Sequence, residues 1–416
     1  MQEAGEPMRA NELRIKPAPQ RFCHLIPGIS GTKDGWRGIE KVIRKSVIDG
    51  HSYQNVQVHD SSVSVNTPNP NHFGVMAESF IQDLELAKET DGKVDIIVTS
   101  LGTNDVMRVL KIIEDQHPEN LQFLRLFLIS PWGLVKPGDR QHPRELMHGL
   151  VEGADSLYRF GKLLKGIMTK GDDMVFLAHQ AILPVGVDPL ILTKALTKAY
   201  SSRAQKIEGS PEMTTLDTST LRDRSKNNLN LMKEADRERL EKIDGEITEL
   251  LSLGLNGEKW IGRFKELNKR RAKIIGSYIW KFFDATGKDE IEPNASERTN
   301  SEKKVRGMIG NLAISLSNNL GPIFKSTFGT DYLQMIHLME MGVPIHFIAG
   351  EFDPIVKPGQ YERFIGEYKN KGAKPVAITG LTWGHIDSYS LNQEALAKAV
   401  NEVIQISLAT PISQPS

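Results

Sequence analysis

Three residues of this 416-residue chain are of a type, and in an order, that could together perform acyl transfer: Ser100, then Asp353, then His385. A serine hydroxyl is a weak nucleophile until a base takes its proton. An imidazole is the base best matched to neutral pH, and a buried carboxylate fixes its tautomer and steadies the imidazolium that forms. Ser100 follows the apolar run Val94–Thr99 and precedes a helical pattern, Asp105–Ile113. Asp353 follows the run Pro344–Gly350, and His385 follows a shorter one, Pro375–Thr379. Each candidate therefore stands just past the end of an expected strand. Glu351 lies too close to its strand, and Asp387 too close in sequence to His385, to serve as the orienting acid.

The segment around the serine, Val98-Thr99-Ser100-Leu101-Gly102, has the strand–turn–helix setting of a nucleophile elbow, whose pattern is Gly-x-Ser-x-Gly. Gly102 meets the need for a small residue where strand and helix approach, whereas Val98 stands where the pattern has glycine. An ordinary serine helix cap is the alternative reading of Ser100 taken alone. The helix start after it offers its positive end and backbone N–H groups to an anion.

The elements that must carry these residues alternate. Expected strands are Phe22–Ile26, Asn55–Val65, Val94–Thr99, Phe123–Ser130, Pro344–Gly350 and Pro375–Thr379. Expected helices are Trp36–Ile48, Phe73–Glu89, Asp105–Ile113, Gln360–Lys371 and Gln393–Leu408. Near-continuous apolar strands between helices indicate an α/β fold, a doubly wound and mostly parallel sheet covered on both faces.

The middle of the chain carries little strand signal. From about 221 to 283 it is highly charged. Leu240, Ile243, Ile247 and Leu250, then Trp260, Phe264 and Leu267, recur at steps of three and four. With Asn256-Gly257 between them, these runs predict two long helices packed as an antiparallel hairpin. The expected division is therefore a core in two parts, 21–133 and 342–408, interrupted by a helical region 134–341, with flexible tails at 1–20 and 409–416. Apolar runs in the insertion, Met174–Leu177, Ala181–Leu183 and Leu312–Leu320, are candidates either for lining an acyl pocket or for its own core.

Three stretches resemble the α/β-hydrolase superfamily: Pro27-Gly28-Ile29-Ser30-Gly31 with Trp36 downstream, Gly350-Glu351-Phe352-Asp353-Pro354-Ile355-Val356, and Gly384-His385. The resemblance covers about 21–133 and 343–408, and Ser, Asp, His is that fold's chain order. It implies a serine hydrolase, esterase- or lipase-like, with a large helical cap inserted between the sixth and seventh core strands. Ser100, Asp353 and His385 would form the triad. The N–H groups of Ile29 and Leu101 would form the oxyanion hole, with Gly28 and Gly102 shaping the two loops. Neither a metal nor an organic cofactor is required. Two other readings stay open: an acyltransferase on the same fold, and a non-catalytic binding or scaffold protein that uses the helical hairpin.

Composition sets the remaining expectations. Lys plus Arg and Asp plus Glu are both 52, a zero formal charge that gives no electrostatic reason to expect nucleic acid or an anionic surface as partner. No run approaches the ~20 apolar residues of a membrane span. The single Cys23 sits in an apolar run, expected as a buried thiol without a zinc partner, and fits a reducing, cytoplasmic setting. The expected partner is a small-molecule acyl substrate, and the hairpin offers a surface for a homo-oligomer.

Overall fold

The computed structural model describes residues 19–28, 36–48, 51–63, 71–168, 185–187, 225–253, 257–278, 281, 313–350, 353, 355–356, 358–369 and 378–381. Its centre is a seven-stranded sheet. In chain order the strands are β1 (Arg21–Ile26), β2 (Val47–Ile48), β3 (His51–Val58), β4 (Lys93–Thr99), β5 (Leu124–Ile129), β6 (Ile345–Gly350) and β7 (Ile378–Leu381). In space they run β2-β3-β1-β4-β5-β6-β7. Every pairing is parallel except the short β2, which pairs antiparallel with β3 at the edge. The fold class is thus α/β with a mostly parallel sheet. The connections are helices α1 (Arg37–Lys45), α2 (His72–Glu89) and α3 (Gly102–Gln116) in the first part, and α8 (Pro358–Lys369) between β6 and β7.

The alternation of side chains along the strands divides the core. Phe22, Ile26, Val94, Ile96, Val98, Leu124, Leu126 and Leu128 face one way and pack with α2 and α3 residues such as Phe80, Leu84, Val106 and Leu110. Cys23, Leu25, Ile97, Phe127 and Ile129 face the other way and meet Trp36, Ile39 and Ile43 of the α1 region. A sheet buried on both faces needs apolar residues at consecutive positions, which is why these strands read as continuous runs. Asp95 on β4 and Arg125 on β5 pair with one another. Asp95 receives both Arg125 Nε–H (2.6 Å) and Nη2–H (2.8 Å), and the Tyr53 hydroxyl at 2.6 Å. His346 stacks on Phe127 and, chiefly through burial, is pushed down to about 3, so it is neutral.

Several expected boundaries shift. The helix expected over Trp36–Ile48 ends at Lys45, because Ser46 turns extended and the chain enters β2. The strand expected over Asn55–Val65 is His51–Val58. Beyond it the chain leaves the ladder so that Ser61 and Ser62 can reach Asp105 on α3. Helix α3 starts at Gly102, three residues earlier than its apolar pattern, and the last described strand is displaced to Ile378–Leu381. The final helix expected over Gln393–Leu408, the tails apart from residues 19–20, and the apolar runs at 174–177 and 181–183 lie outside the described residues.

Among the described residues between β5 and β6 lie the helices α4 (Pro143–Met168), α5 (Glu234–Ser252), α6 (Glu258–Gly276), a helical stretch over 313–327, and α7 (Thr330–Glu340). The insertion thus falls between the fifth and sixth described strands. Helices α5 and α6 pack through Ile243, Ile247, Trp260, Phe264 and Leu267, with Trp260 stacked on Phe264. Buried Asp244 bonds Arg271 Nε–H at 2.9 Å and caps the Val187 N–H at 2.9 Å, which ties residues 185–187 to the hairpin. Of the third apolar run, Leu316 is buried whereas Ile314 and Leu320 are exposed.

Candidate active site

The site starts where β4 ends. Ser100 has φ +46, in the left-handed region that a side chain enters at a cost of about 1–3 kcal/mol. The surroundings hold it there. Its N–H continues the ladder to Ile129 O (2.9 Å). Its carbonyl accepts from Thr103 N–H (3.0 Å) and from Trp132 N–H (3.1 Å). Leu101 follows as the N-cap of α3, and the helix begins at Gly102. A strained serine placed between a central parallel strand and a helix start is the strand–turn–helix geometry that presents a nucleophile.

Gly102 explains how the turn closes. A Cβ there would lie 2.6 Å from Pro27 O, 2.9 Å from Val98 Cγ2 and 3.1 Å from Ile26 Cγ2. Helix α3 is thus pressed against the ends of β1 and β4, and only glycine fits. Val98 points into the same space, so the glycine that the pattern places at 98 and the one at 102 guard one volume. Here Gly102 alone keeps it open.

Asp353 is buried past the end of β6, and its Oδ1 accepts the N–H groups of Ile355 and Val356, both at 2.9 Å. These two bonds are those of an Asx turn, and they fix the plane of the carboxyl group. Since β4 and β6 are parallel, Ser100 and Asp353 stand at the same, carboxyl, edge of the sheet with β5 between them. The buried hydroxyl of Tyr361 on α8 has no hydrogen bond of ordinary geometry among the described residues. Burial pushes this phenol up, the charge of Asp353 adds to the effect, and neighbouring Ser130 eases it.

Of the expected site residues, Ser100, Leu101, Gly102, Gly28 and Asp353 are described, and Gly28 is buried in the loop leaving β1. His385 and Ile29 lie outside the described residues. The structure adds three features that the sequence reading missed. The first is Ser130 at the end of β5, with φ +45. The second is the Trp132–Gly133 turn that contacts the elbow; Pro131 and Gly133 flanking Trp132 were the available signal. The third is a buried acidic pair behind α3. Asp105 accepts Ser61 Oγ–H (3.1 Å), Ser62 N–H (2.7 Å) and Ser62 Oγ–H (2.5 Å). Asp331 of α7 bonds Ser326, and burial pushes its carboxyl up to about 7.

Two other polar clusters gather side chains of ligand type. His24 on β1 is fully buried, with Nδ1 2.8 Å from His59 Nε2 and Nε2 3.2 Å from Asp83 Oδ2, the latter outside hydrogen-bond geometry. Burial lowers its pKa despite that carboxylate. Among the described residues, Glu85, His117 and Glu119 bring their donor atoms within 4.8 Å of one another. However, Lys88 Nζ lies 3.9 Å from both carboxylates and Asn120 Nδ2–H bonds Glu85 at 2.6 Å, so the trio is a surface charge cluster with its partners already in place.

Among solved structures the chain is similar to several hydrolases. A thermophilic esterase from Thermogutta terrifontis has 9% identity and a TM-score of 0.34, with 94% of this chain and 91% of that one covered. A loop variant of haloalkane dehalogenase DbeA from Bradyrhizobium elkanii has 11% identity and a TM-score of 0.36, covering 94% and 91%. A peroxisomal alpha-beta-hydrolase from Saccharomyces cerevisiae has 10% identity and a TM-score of 0.37, covering 95% and 79%. No family model and no curated protein matches the sequence. A mostly parallel sheet with helices between its strands, a strained serine after its central strand and a buried acid at the same edge make this a doubly wound α/β fold with one candidate site at its carboxyl edge.

Proposed function

We propose that this chain is a serine hydrolase that cleaves an ester, or a thioester or amide, through an acyl-enzyme. The observation that carries the reading is the backbone of Ser100: a non-glycine residue held at φ +46 between β4 and α3. Such strain persists where the surrounding structure enforces it, and it concentrates at functional sites.

In the proposed mechanism His385 takes the Ser100 proton as Oγ attacks the substrate carbonyl. The N–H groups of Leu101 and Ile29 stabilise the oxyanion, each contributing on the order of 10²–10³ in rate. Asp353, its plane fixed by the Ile355 and Val356 N–H groups, orients the imidazole. His385 then returns the proton to the leaving alcohol, thiol or amine as the carbonyl–heteroatom bond breaks. Water, deprotonated by the same imidazole, releases the acid and restores the serine.

Helices of the insertion, from α4 to α7, would wall the pocket and select the acyl group. Among the described residues no helix is long and apolar enough to cross a membrane. A cytoplasmic setting and a small acyl substrate remain part of this proposal. The test is labelling of the purified chain by a fluorophosphonate. Wild type should be modified at Ser100, with Ser100→Ala unlabelled. Equal labelling of the two would end the assignment.

A further inference from the structure

Behind the elbow, the turn after β5 is gripped from two sides. Trp132 N–H donates to the Ser100 carbonyl at 3.1 Å, and Trp132 Nε1–H donates to Thr327 Oγ1 at 3.2 Å. Thr327 in turn donates to Ile323 O at 2.7 Å, which fixes its hydroxyl as an acceptor toward the indole. Next to it Gly133, with φ +94, lies flat on Asp331: a Cβ there would be 2.8 Å from Asp331 Cβ and 3.2 Å from Ser326 Oγ. Asp331 accepts the Ser326 hydroxyl and the side chain of Asn104 in the first turn of α3. One buried carboxyl thus touches the segment ahead of β6, the turn after β5 and the helix that starts at the elbow.

We propose that Asp331 is a positioning residue for the Ser100 elbow. It locks Ser326, Thr327 and the Trp132–Gly133 turn into one brace, and that brace holds the Ser100 carbonyl. The proposal rests on the reading of Ser100 as the nucleophile. It also makes the elbow sensitive to pH. The groups facing Asp331 are Asp105 and Arg108, both from α3, and His72 of α2 faces Asp105 in turn. Asp105 already holds three serine donors, and the guanidinium of Arg108 is only partly buried, over the Phe73 ring. Burial above all, with the charge of Asp105 added, favours the neutral form of Asp331, and Arg108 offsets this only in part. Its folded pKa of about 7 lies above the usual value for an unfolded aspartate, about 4. The proton therefore stabilises the brace fully at low pH, and that support fades as pH rises toward 7 and is gone above it. Ionisation then loads the first turn of α3 with repulsion from Asp105.

The test uses the full chain and two readouts, amide hydrogen exchange at matched pH and fluorophosphonate labelling. At pH 6, Asp331→Ala should speed exchange about tenfold in peptides covering 98–106 and 129–134 and leave the α5–α6 hairpin unchanged. It should slow labelling about tenfold at pH 6 and by less above pH 7, where wild type loses the same support. Asp331→Asn, a mimic of the neutral acid, should match wild type at pH 6. At pH 8.5, where wild type loosens, it should stay protected and label about threefold faster. If Asp331→Ala does not fold, Thr327→Val removes only the indole's acceptor and should still speed exchange at 129–134. A folded Asp331→Ala or Thr327→Val with wild-type exchange in both peptides would overturn the brace, as would an Asn variant with the wild-type pH profile. Should Ser100→Ala label like wild type, the nucleophile reading falls, and the exchange data still judge the brace.

Discussion

Two neighbouring strands end in the same unusual way. At the end of β4, Ser100 has φ +46; at the end of β5, Ser130 has φ +45, and each continues its ladder through its own N–H, to Ile129 O and Ile348 O respectively. Both serines are buried. What separates them is what comes next. Ser100 is followed by Leu101 and Gly102, and α3 begins at once, so its backbone lies against a helix start with its N–H groups and positive end. Ser130 is followed by Pro131, which removes an N–H, and by a turn that leads away from the sheet. Strain alone therefore does not mark a nucleophile. In the proposed function it is the helix start after Ser100 that sets this serine apart, with the second turn as its support.

The contrast can be broken most directly by exchanging the hydroxyls for hydrogen. Ser100→Ala should lower turnover of a reactive acyl ester by about 10⁴-fold or more, whereas Ser130→Ala should retain most activity, as read from initial rates. Comparable losses in both would show that the two turns are not distinguished by the helix start. Next in size, Asp353→Asn keeps the shape of the acid but removes its charge. It should cost about 10²–10⁴ in kcat with little change in melting temperature, because the Ile355 and Val356 N–H groups can still bond the amide oxygen.

Smaller effects concern how the elbow is packed. Gly102→Ala drives a methyl into the Pro27 carbonyl, which is backbone and yields poorly. Urea titration should show a loss of about 1–3 kcal/mol, with slower labelling of Ser100 because α3 is displaced. The smallest effect addresses the strain itself. Ser100→Gly and Ser130→Gly should each raise stability by about 1 kcal/mol, since glycine enters the left-handed region freely. A gain at Ser130 but none at Ser100 would mean that the elbow is held without strain.

Much of this was legible in the residues. The β-branched and aliphatic runs at 22–26, 94–99, 124–129 and 345–350 announced a buried parallel sheet, since no other context asks for apolar side chains on both faces of a strand. The boundary errors have separate causes. Ser61 and Ser62 leave the strand pattern for Asp105, and Ser46 ends α1 where a helical period continued on paper. Gly102 and Thr103 have no apolar signal, yet they open α3 because the elbow demands it. Ser100 and Asp353 were found from their positions after strands. Ser130 and Asp331 were not, because a left-handed φ at a serine and a carboxyl buried against a glycine leave no mark in composition or period, and the Trp132 turn was missed although Pro131 and Gly133 flank it. The departure at Val98 looked like a broken motif in one dimension. In three dimensions Val98 and Gly102 face a single volume, and one glycine suffices to keep it open.

Cys23 lends the molecule a property of another kind. It is the chain's only thiol, fully buried at the middle of β1 beneath α1, and burial pushes its pKa well above the ordinary thiol value. A thiol reagent can reach it only after α1 lifts from the sheet and the sulfur ionises in water. Modification of Cys23 thus serves as a built-in clock for opening of the core. Its rate in dilute denaturant reads the free energy of that opening directly, with no added label and no knowledge of the substrate.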